Sequence, residues 1–337
     1  MDDEALEIEQ QEQELYEHHR FVVDRGQTAV RLDIYLQSHL TGVSRNKVQA
    51  AAKAGCVRVN DKETKPSYKV KPQDVITVLL PEPVHEFEML PEPMDIPVVY
   101  EDEDVLVIDK PAGLVVHPGV GNWTGTLVNG LLYYFGENAI AHPLLVHRID
   151  KDTSGLLLVA KNEEAQLVLA KQFFDHSIER KYNALVWGDF DEEEGTIVGN
   201  LARSPRDRRI MDVCDDEHGK HAVTHWHVLE RFGYVTLVEC VLETGRTHQI
   251  RAHMRHIGHP LFSDASYGGN AILKGTTFSR YRQFVENCFE VLPRQALHAR
   301  ILGFEHPRTG KHMHFESALP ADFTACLERW RNYVENH

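Results

Sequence analysis

Cysteine is scarce in this chain, and the patterns that cysteine- or metal-dependent sites need are missing. Five cysteines are scattered, odd in number and form no CxxC pair, which argues against a disulfide framework and a cysteine zinc site. The sequence contains no HExxH motif, glycine-rich nucleotide loop or flavin signature. We therefore expect no bound metal and no cofactor. Closely spaced histidines such as His248 and His253 are expected to make structural or phosphate hydrogen bonds.

Long apolar runs are also missing. No run approaches the roughly 20 residues that a membrane-spanning helix needs. The N-terminal stretch MDDEALEIEQQEQELYEHH is acidic and has no apolar signal-peptide core. These absences predict a cytoplasmic protein without a membrane partner, and we expect a monomer. The length of 337 residues is enough for two domains.

Basic charge is sparse overall but concentrated in one segment. The formal net charge of −15 argues, taken alone, against a nucleic-acid partner. Residues 28–80 nevertheless carry nine basic residues against four acidic ones, whereas residues 82–104 carry nine acidic residues and no basic one. Because a local patch matters more for phosphate binding than the chain total, residues 28–80 are predicted to bind a polyanion.

Composition divides the chain into four predicted segments. Residues 1–27 are expected to form an acidic, flexible tail. Residues 28–80 combine helical and strand periodicity and predict a small α/β domain. Residues 81–97 hold five prolines and five acidic residues, which is typical of a stiff linker. Residues 98–337 are predicted to form a larger domain.

The larger domain mixes helices and strands without a regular βαβ alternation. Helical patterns occur at 126–136 and 162–175, and strand patterns at 181–190, 221–232 and 234–243. This order favours an α+β fold with a mixed, largely antiparallel sheet over a doubly wound parallel sheet.

The main candidate site is the polar bridge in LLVHRIDKDTSGLLLVAKN, residues 144–162. Two predicted strands flank a bridge that contains Asp150 and Asp152. These residue types also make plain turns. The Asp-x-Asp pair suggests phosphatases that form an aspartyl-phosphate, but a His-Arg pair interrupts the apolar strand they need. The Asp-Thr-Gly triplet of aspartic proteases is broken by a serine, and no second copy exists.

Five blocks occur in a fixed order: KPAGLVVHPG (110–119), HRIDKDTSG (147–155), KYNALVWG (181–188), LETGRTHQIRAHMRHIGHPL (242–261) and RQALHA (294–299). They resemble the motifs of the RNA pseudouridine synthases, in the branch of the ribosomal large-subunit enzymes. The basic segment at 28–80 resembles the S4 RNA-binding fold that precedes the catalytic domain in longer members. The resemblance spans about residues 28 to 320. It implies isomerisation of uridine to pseudouridine in RNA, with large-subunit ribosomal RNA or its assembly precursor as the partner.

The resemblance also assigns catalytic roles. Asp150 is the carboxylate that attacks ribose C1′ or takes a proton from C2′, and both routes remain open. Arg246, placed at the start of a helix, is expected to pair with Asp150 and keep it ionised. Tyr182 is expected to stack on the uracil and to help remove the C5 proton. Asp152 is the alternative carboxylate.

Supporting and RNA-contacting residues follow from the same motifs. The expected structural supports are Lys110, Pro111, Thr153 and Gly155. Arg148 is expected to fill the gap that a flipped-out uridine leaves in the RNA. The expected backbone contacts lie in the basic segment and in the loop RSPRDRR: Arg45, Lys47, Lys53, Arg58, Arg203 and Arg206. One departure is visible, because Ser263 stands where the family commonly has glycine.

A non-catalytic RNA-binding or ribosome-assembly factor on the same fold is the alternative from another functional class. A degenerate copy need keep none of the motif residues. Asp150, Tyr182 and Arg246 are all present, which favours the enzyme.

Overall fold

The structure is a computed structural model that describes residues 16–40, 43, 45–53, 55–80, 89–119, 122–136, 143–214 and 219–336. The chain divides into two compact units, Met1–Glu88 and Met89–His337. Within the described residues, no helix has both the length and the apolar character needed to cross a membrane.

The first unit combines two helices with a small antiparallel sheet. Its elements are β1 (Tyr16–Val22), α1 (Leu32–His39), α2 (Arg45–Lys53), β2 (Val57–Val59), β3 (Lys62–Glu63) and β4 (Val75–Leu80). The strand order is β1-β4-β2-β3. Leu32, Leu36 and Val48 pack from the helices onto Ile76 of the sheet and form the core. The predicted small α/β domain is present in this unit.

The predicted flexible tail is wrong for its last part. Strand β1 lies inside residues 1–27 and pairs with β4 from Tyr16↔Leu80 to Val22↔Val75. Phe21 packs against the core and Val23 is buried. The acidic character of the segment concealed this short apolar pattern. Residues 1–15 lie outside the described residues.

The second unit is built on one large sheet. Its elements are β5 (Val98–Glu101), β6 (Val105–Lys110), α3 (Leu127–Phe135), β7 (Leu144–Leu145), β8 (Ser154–Ala160), α4 (Glu163–Phe174), β9 (Glu179–Trp187), β10 (Glu194–Arg203), β11 (Met211–Cys214), β12 (Lys220–Arg231), β13 (Val235–Leu242), α5 (Gln249–His256), α6 (Ser279–Val291), β14 (Leu297–Glu305), β15 (His312–Glu316) and α7 (Ala321–Glu335). Among the described residues, eleven strands join in the order β11-β10-β12-β13-β9-β14-β8-β6-β5, with β15 beside β14 and β7 beside β8.

Strand β14 holds the centre of this sheet although it comes late in the chain. It pairs antiparallel with β9 and parallel with β8, while the other pairs of described strands run antiparallel. The expected α+β fold with a largely antiparallel sheet is therefore confirmed. Both faces of the sheet are covered by buried apolar side chains, because helices and loops pack on each side.

Part of the predicted linker belongs to the second unit. Ile96 is buried in the core of this unit, and Met94 packs beside it. Asn129 of α3 fixes the backbone, because its side chain donates to the carbonyl of Leu90 and its own carbonyl accepts from the N–H of Glu92. Residues 81–88 of the prediction lie outside the described residues. The proline spacing was typical of a linker, but the interspersed apolar side chains pack.

Candidate active site

The polar bridge forms a tight loop between β7 and β8, and Gly155 ends it. Gly155 has φ +112°, and an added Cβ would lie 2.3 Å from the carbonyl oxygen of Ala299 on β14. Any side chain here would push the two strands apart. Thr153 is buried, and its N–H donates to the carbonyl of Asp150. The loop backbone is therefore fixed against the central strand.

Lys110 fixes the backbone of the same loop through hydrogen bonds to main-chain carbonyls. It is fully buried, and its Nζ donates to the carbonyls of Lys151, Pro111 and Leu114 at 2.8–2.9 Å. Burial lowers the pKa of Lys110 to about 7, opposed by the charges of Asp152 and Asp150.

Arg294 is a second anchor that the sequence pattern did not single out. Its Nη1 donates to the carbonyl of Asp152 at 2.9 Å, while Nε and Nη2 bind Asp322 of α7 at 2.7 and 3.0 Å. The block RQALHA was recognised as a motif, but its arginine acts on a main-chain carbonyl. No residue type in the signature loop signals that contact.

Asp150 is paired with Arg251, not with Arg246. Nη1 of Arg251 lies 3.0 Å from Oδ2 of Asp150, and the same guanidinium binds Asp264 through Nε and Nη2 at 2.7 and 2.9 Å. Burial alone would lower the pKa of Arg251, but its bonds to Asp264 and Asp150 outweigh this and raise the pKa. The expected charge pair exists, and the arginine assigned to it from sequence was wrong.

The helix boundary explains the correction. Helix α5 begins at Gln249 rather than at Arg246, and the Gln249 side chain caps the preceding turn by accepting from the N–H of Arg246 at 2.9 Å. Arg246 is exposed, and its Nε donates to the carbonyl of His221. Arg251 follows the buried Ile250 on the inward side of the helix. The motif GRTHQIR contains both Arg246 and Arg251. Only Arg251 lies within the helix, on its buried side.

Ser263 adopts a backbone conformation suited to glycine. Its φ is +61°, in the left-handed region, and its buried hydroxyl has no hydrogen-bond partner among the described residues. The sequence therefore departs from the family motif at a position where the backbone conformation favours glycine. The neighbouring Asp264 must stay in place, because it anchors Arg251 and accepts from the N–H groups of Ser266 and Tyr267.

Replacing Ser263 with glycine is expected to stabilise the protein by about 1 kcal/mol. The gain comes from relieved left-handed strain and from loss of a buried unpaired hydroxyl, partly offset by the flexibility of glycine in the unfolded chain. Urea unfolding of wild type and Ser263→Gly would measure it. A lower midpoint for the glycine variant would contradict this account.

Tyr182 lies on β9 at the floor of the same pocket. It is 7% exposed. Its pKa is raised, first by burial and further by the charge of Asp150, against an opposing effect of Arg180. The hydroxyl is therefore protonated at neutral pH and is suited to donate or relay a proton rather than to act as a phenolate base.

These side chains surround a pocket of about 470 Å³, which is in the size range of small-ligand sites. Asp150, Tyr182 and Arg251 line it, and Asp152 does not. Arg148 and Arg246 also line it and are exposed. The side chains that carry charge are thus four arginines around one carboxylate: Arg148, Arg180, Arg246, Arg251 and Asp150.

Of the predicted RNA-contacting residues outside the pocket, most of those whose side chains the structure describes are exposed. Arg203 is the last residue of β10 and Arg206 lies in the turn that joins β10 to β11, and both are exposed. Arg45 is exposed on α2, and its Nε binds the buried Asp33 at 3.0 Å. Lys53 is exposed at the end of α2, and Arg58 is half-buried on β2. Lys47 lies in α2, but its side chain is outside the described part of the structure.

Two clusters of described residues could hold a metal ion, and neither lines the pocket. Asp102, Asp104 and His306 converge within 4.8 Å, but Arg308 already binds Asp104 at 2.7 Å. Glu179, His312 and His314 converge similarly on the sheet surface. The groups that the pocket itself offers for chemistry are a carboxylate, four guanidinium groups and a phenol.

Family profiles and known proteins match this chain over most of its length. The profile for RNA pseudouridylate synthase covers residues 104–256, and the S4 domain profile covers residues 30–76. An uncharacterised RNA pseudouridine synthase of Bacillus subtilis is 48% identical over 309 residues, covering 90% of this chain and 95% of that protein. The chain belongs to the RNA pseudouridine synthase family.

Other members of the RNA pseudouridine synthase family agree. A ribosomal large subunit pseudouridine synthase D of Zymomonas mobilis is 44% identical over 312 residues, covering 87% of this chain and 91% of that one. The human RNA pseudouridylate synthase domain containing 1 is 26% identical, with a TM-score of 0.52, and 73% of this chain matches 98% of it. As a pseudouridine synthase, the chain is an isomerase that acts on RNA.

Proposed function

We propose that this pseudouridine synthase isomerises specific uridines in large-subunit ribosomal RNA or its assembly precursor. The observation that carries the proposal is the Asp150 carboxylate, bound by the buried Arg251 and lining the same pocket as Tyr182. Support for the substrate class comes from similarity to large-subunit enzymes of several bacteria at 41–45% identity.

The reaction breaks the bond between ribose C1′ and uracil N1 and re-forms it between C1′ and C5. A carboxylate beside the sugar can attack C1′ or take a proton from C2′, which are the two routes open to Asp150. Because Arg251 is shared with the buried Asp264, its guanidinium is oriented before substrate arrives. Electrostatic preorganisation of this kind avoids reorganisation at the moment of reaction.

A uridine must leave its helix before Asp150 can reach C1′. Arg148, next to the catalytic loop and exposed, is the residue we assign to the vacated space. Its planar guanidinium can stack on neighbouring bases and reach phosphates. Arg203, at the end of β10, and Arg206, in the turn that follows, are both exposed, and we assign them to the RNA backbone. We place the protein in the cytoplasm as a monomer.

Mapping pseudouridines in ribosomal RNA from cells with and without the protein tests the proposal. We expect one or a few large-subunit positions to lose pseudouridine and to regain it when wild-type protein is restored. Restoring the Asp150→Asn variant should not rescue them. An unchanged map, with activity on transfer RNA instead, would overturn the substrate class.

Replacing Tyr182 with phenylalanine should lower turnover by about 10- to 100-fold, because a positioned proton-transfer group typically contributes that much or more. The ring remains, so RNA affinity should change little. Single-turnover rates and a filter-binding Kd measured on the same RNA separate the two effects. An unchanged rate would restrict Tyr182 to stacking and packing.

Removing residues 1–88, which form a compact unit with its own core, should weaken RNA binding and flatten its salt dependence. Each phosphate contact by lysine or arginine releases counterions, so losing contacts lowers the slope of log Kd against log salt. Affinity of the full chain and of residues 89–337 would be compared from about 50 to 200 mM salt. Equal slopes would show that the S4 unit is not an RNA anchor.

A further inference from the structure

A second arginine lies deep in the pocket and has no carboxylate partner among the residues that the structure describes. Arg180 is on β9, two residues before Tyr182 and therefore on the same face of the strand. It is 6% exposed and lines the pocket. Its Nη2 makes long hydrogen bonds of 3.4 and 3.3 Å to the carbonyls of Leu242 and Glu243. Its buried Nε has no partner among the described residues.

This arrangement is costly to the folded chain. Burying a guanidinium without a paired carboxylate disfavours its charge, and burial lowers the pKa of Arg180. The ring of Phe173, 5.3 Å from the guanidinium carbon, offsets only part of the cost. Arg251, by contrast, binds two carboxylates. A buried guanidinium that lines a pocket and has no carboxylate partner among the described residues points to a partner outside the chain.

Two titratable groups close to Arg180 carry no charge at neutral pH. Burial and the charge of Arg180 lower the pKa of His147 to about 3. The Nε2 of His147 accepts from the N–H of Leu158 at 2.8 Å, which requires a neutral ring. Tyr182 is also uncharged, since burial raises its pKa.

Gly245 provides the space for the guanidinium. A Cβ at this position would lie 2.7 Å from Nη1 of Arg180. Its φ lies outside the left-handed region, so the backbone would accept alanine. Glycine is thus required here by the approach of Arg180.

The burial of each pocket side chain indicates which part of a bound nucleotide it would contact. Arg148 and Arg246 are exposed where the RNA backbone would pass, whereas Arg180 and Tyr182 are buried where the base would enter. We propose that Arg180 donates a hydrogen bond to a carbonyl oxygen of the target uracil and stabilises the detached base. The inference rests on the proposed function.

The contact would stabilise the negative charge that forms on the uracil during the reaction. When the C1′–N1 bond breaks, its electron pair stays on the uracil, and the negative charge spreads from N1 onto O2 and O4. At the sugar, Asp150 either bonds to C1′ or takes the C2′ proton. The base then turns, and C5 bonds to C1′ as the bond from C1′ to Asp150 breaks or as the proton returns to C2′. The C5 proton leaves and N1 gains a proton, so atoms and charge balance. A buried guanidinium that meets the carbonyl oxygen favours the charged intermediate more than the neutral substrate.

The test uses full-length Arg180→Gln and Arg180→Lys on large-subunit ribosomal RNA isolated from cells that lack the protein. At saturating enzyme, we expect Arg180→Gln to lower the single-turnover rate by about 100-fold, comparable to loss of an oxyanion donor. The Kd for the same RNA should change by less than about threefold, and lysine should restore part of the rate because it keeps the charge. Gly245→Ala, which displaces the guanidinium without removing it, should show the same rate loss with an unchanged Kd.

A second substrate separates a chemical role from a structural one. In RNA transcribed with 5-fluorouridine, fluorine stabilises the detached base, so the defect of Arg180→Gln in consuming the target nucleoside should shrink relative to uridine. Equal defects on both RNAs would overturn the proposal. A raised Kd with a normal rate at saturation would assign Arg180 to a phosphate instead and would equally overturn it. If wild type modified no position, the proposed function itself would fail. Modification by wild type and Arg180→Gln at equal rates would refute this inference alone.

Discussion

Replacing Asp150 with asparagine should abolish isomerisation, with a loss of at least about 10³-fold in the single-turnover rate, as expected for a covalent or proton-abstracting carboxylate. Asparagine has nearly the same shape and can still accept a hydrogen bond from Arg251, so the fold should persist. RNA binding should also persist, because the residues proposed to contact phosphates lie elsewhere. Release of tritium from RNA labelled at C5 of uridine measures the rate.

The matched control for this change is Asp152→Asn, the same substitution two residues later. Asp152 does not line the pocket, and Arg294 holds its main-chain carbonyl rather than its side chain. We expect this control to keep activity within about tenfold of wild type. Activity lost in Asp152→Asn and retained in Asp150→Asn would reverse the assignment of the two carboxylates.

Replacing Arg251 should have the second largest effect, on both stability and rate. In Arg251→Leu, the buried Asp264 and Asp150 lose their common partner, and breaking buried ion pairs in this way costs about 3–5 kcal/mol. Arg251→Lys keeps the charge but cannot bind Asp264 through two N–H groups while reaching Asp150. We expect it to fold and to lose about 100-fold in rate.

Arg246→Gln separates the observed pairing from the one expected from sequence. Arg246 makes a hydrogen bond to the carbonyl of His221 and is exposed, so its loss should act mainly on RNA affinity and should lower the rate less than Arg251→Lys. Rates at saturating enzyme and thermal melting would be measured for both variants. A rate lost only in Arg246→Gln would contradict the geometry.

Motifs located the site well because they mark residues whose roles are local. Asp150 and Tyr182 were placed in one pocket from sequence, and the glycine needed at Gly155 follows from its close contact with β14. The arginine that pairs with Asp150 was harder to predict, since GRTHQIR contains two arginines. Only the residue at which α5 begins decides which of them points inward. The glycine that the family commonly has at the position of Ser263 indicated an unusual turn conformation there.

The other features that the sequence did not predict depend on main-chain hydrogen bonds or on apolar packing. Arg294 binds the carbonyl of Asp152, and Arg180 contacts the carbonyls of Leu242 and Glu243. A carbonyl is the same in every residue type, so sequence carries no sign of such partners. Strand β1 was hidden because a few apolar side chains suffice to add an edge strand to a small sheet.

The position of β14 has a consequence for how the protein is made. Strands β5 to β13 leave the ribosome first, yet β8 and β9 are joined only when Leu297–Glu305 inserts between them. Until then the inner edge of β9 is unpaired and that of β8 is covered only in part, by β7, so both edges are templates for association with other chains. The nascent enzyme should therefore depend on chaperones late in synthesis. Chains that stop before Leu297 should aggregate rather than fold into a smaller active enzyme.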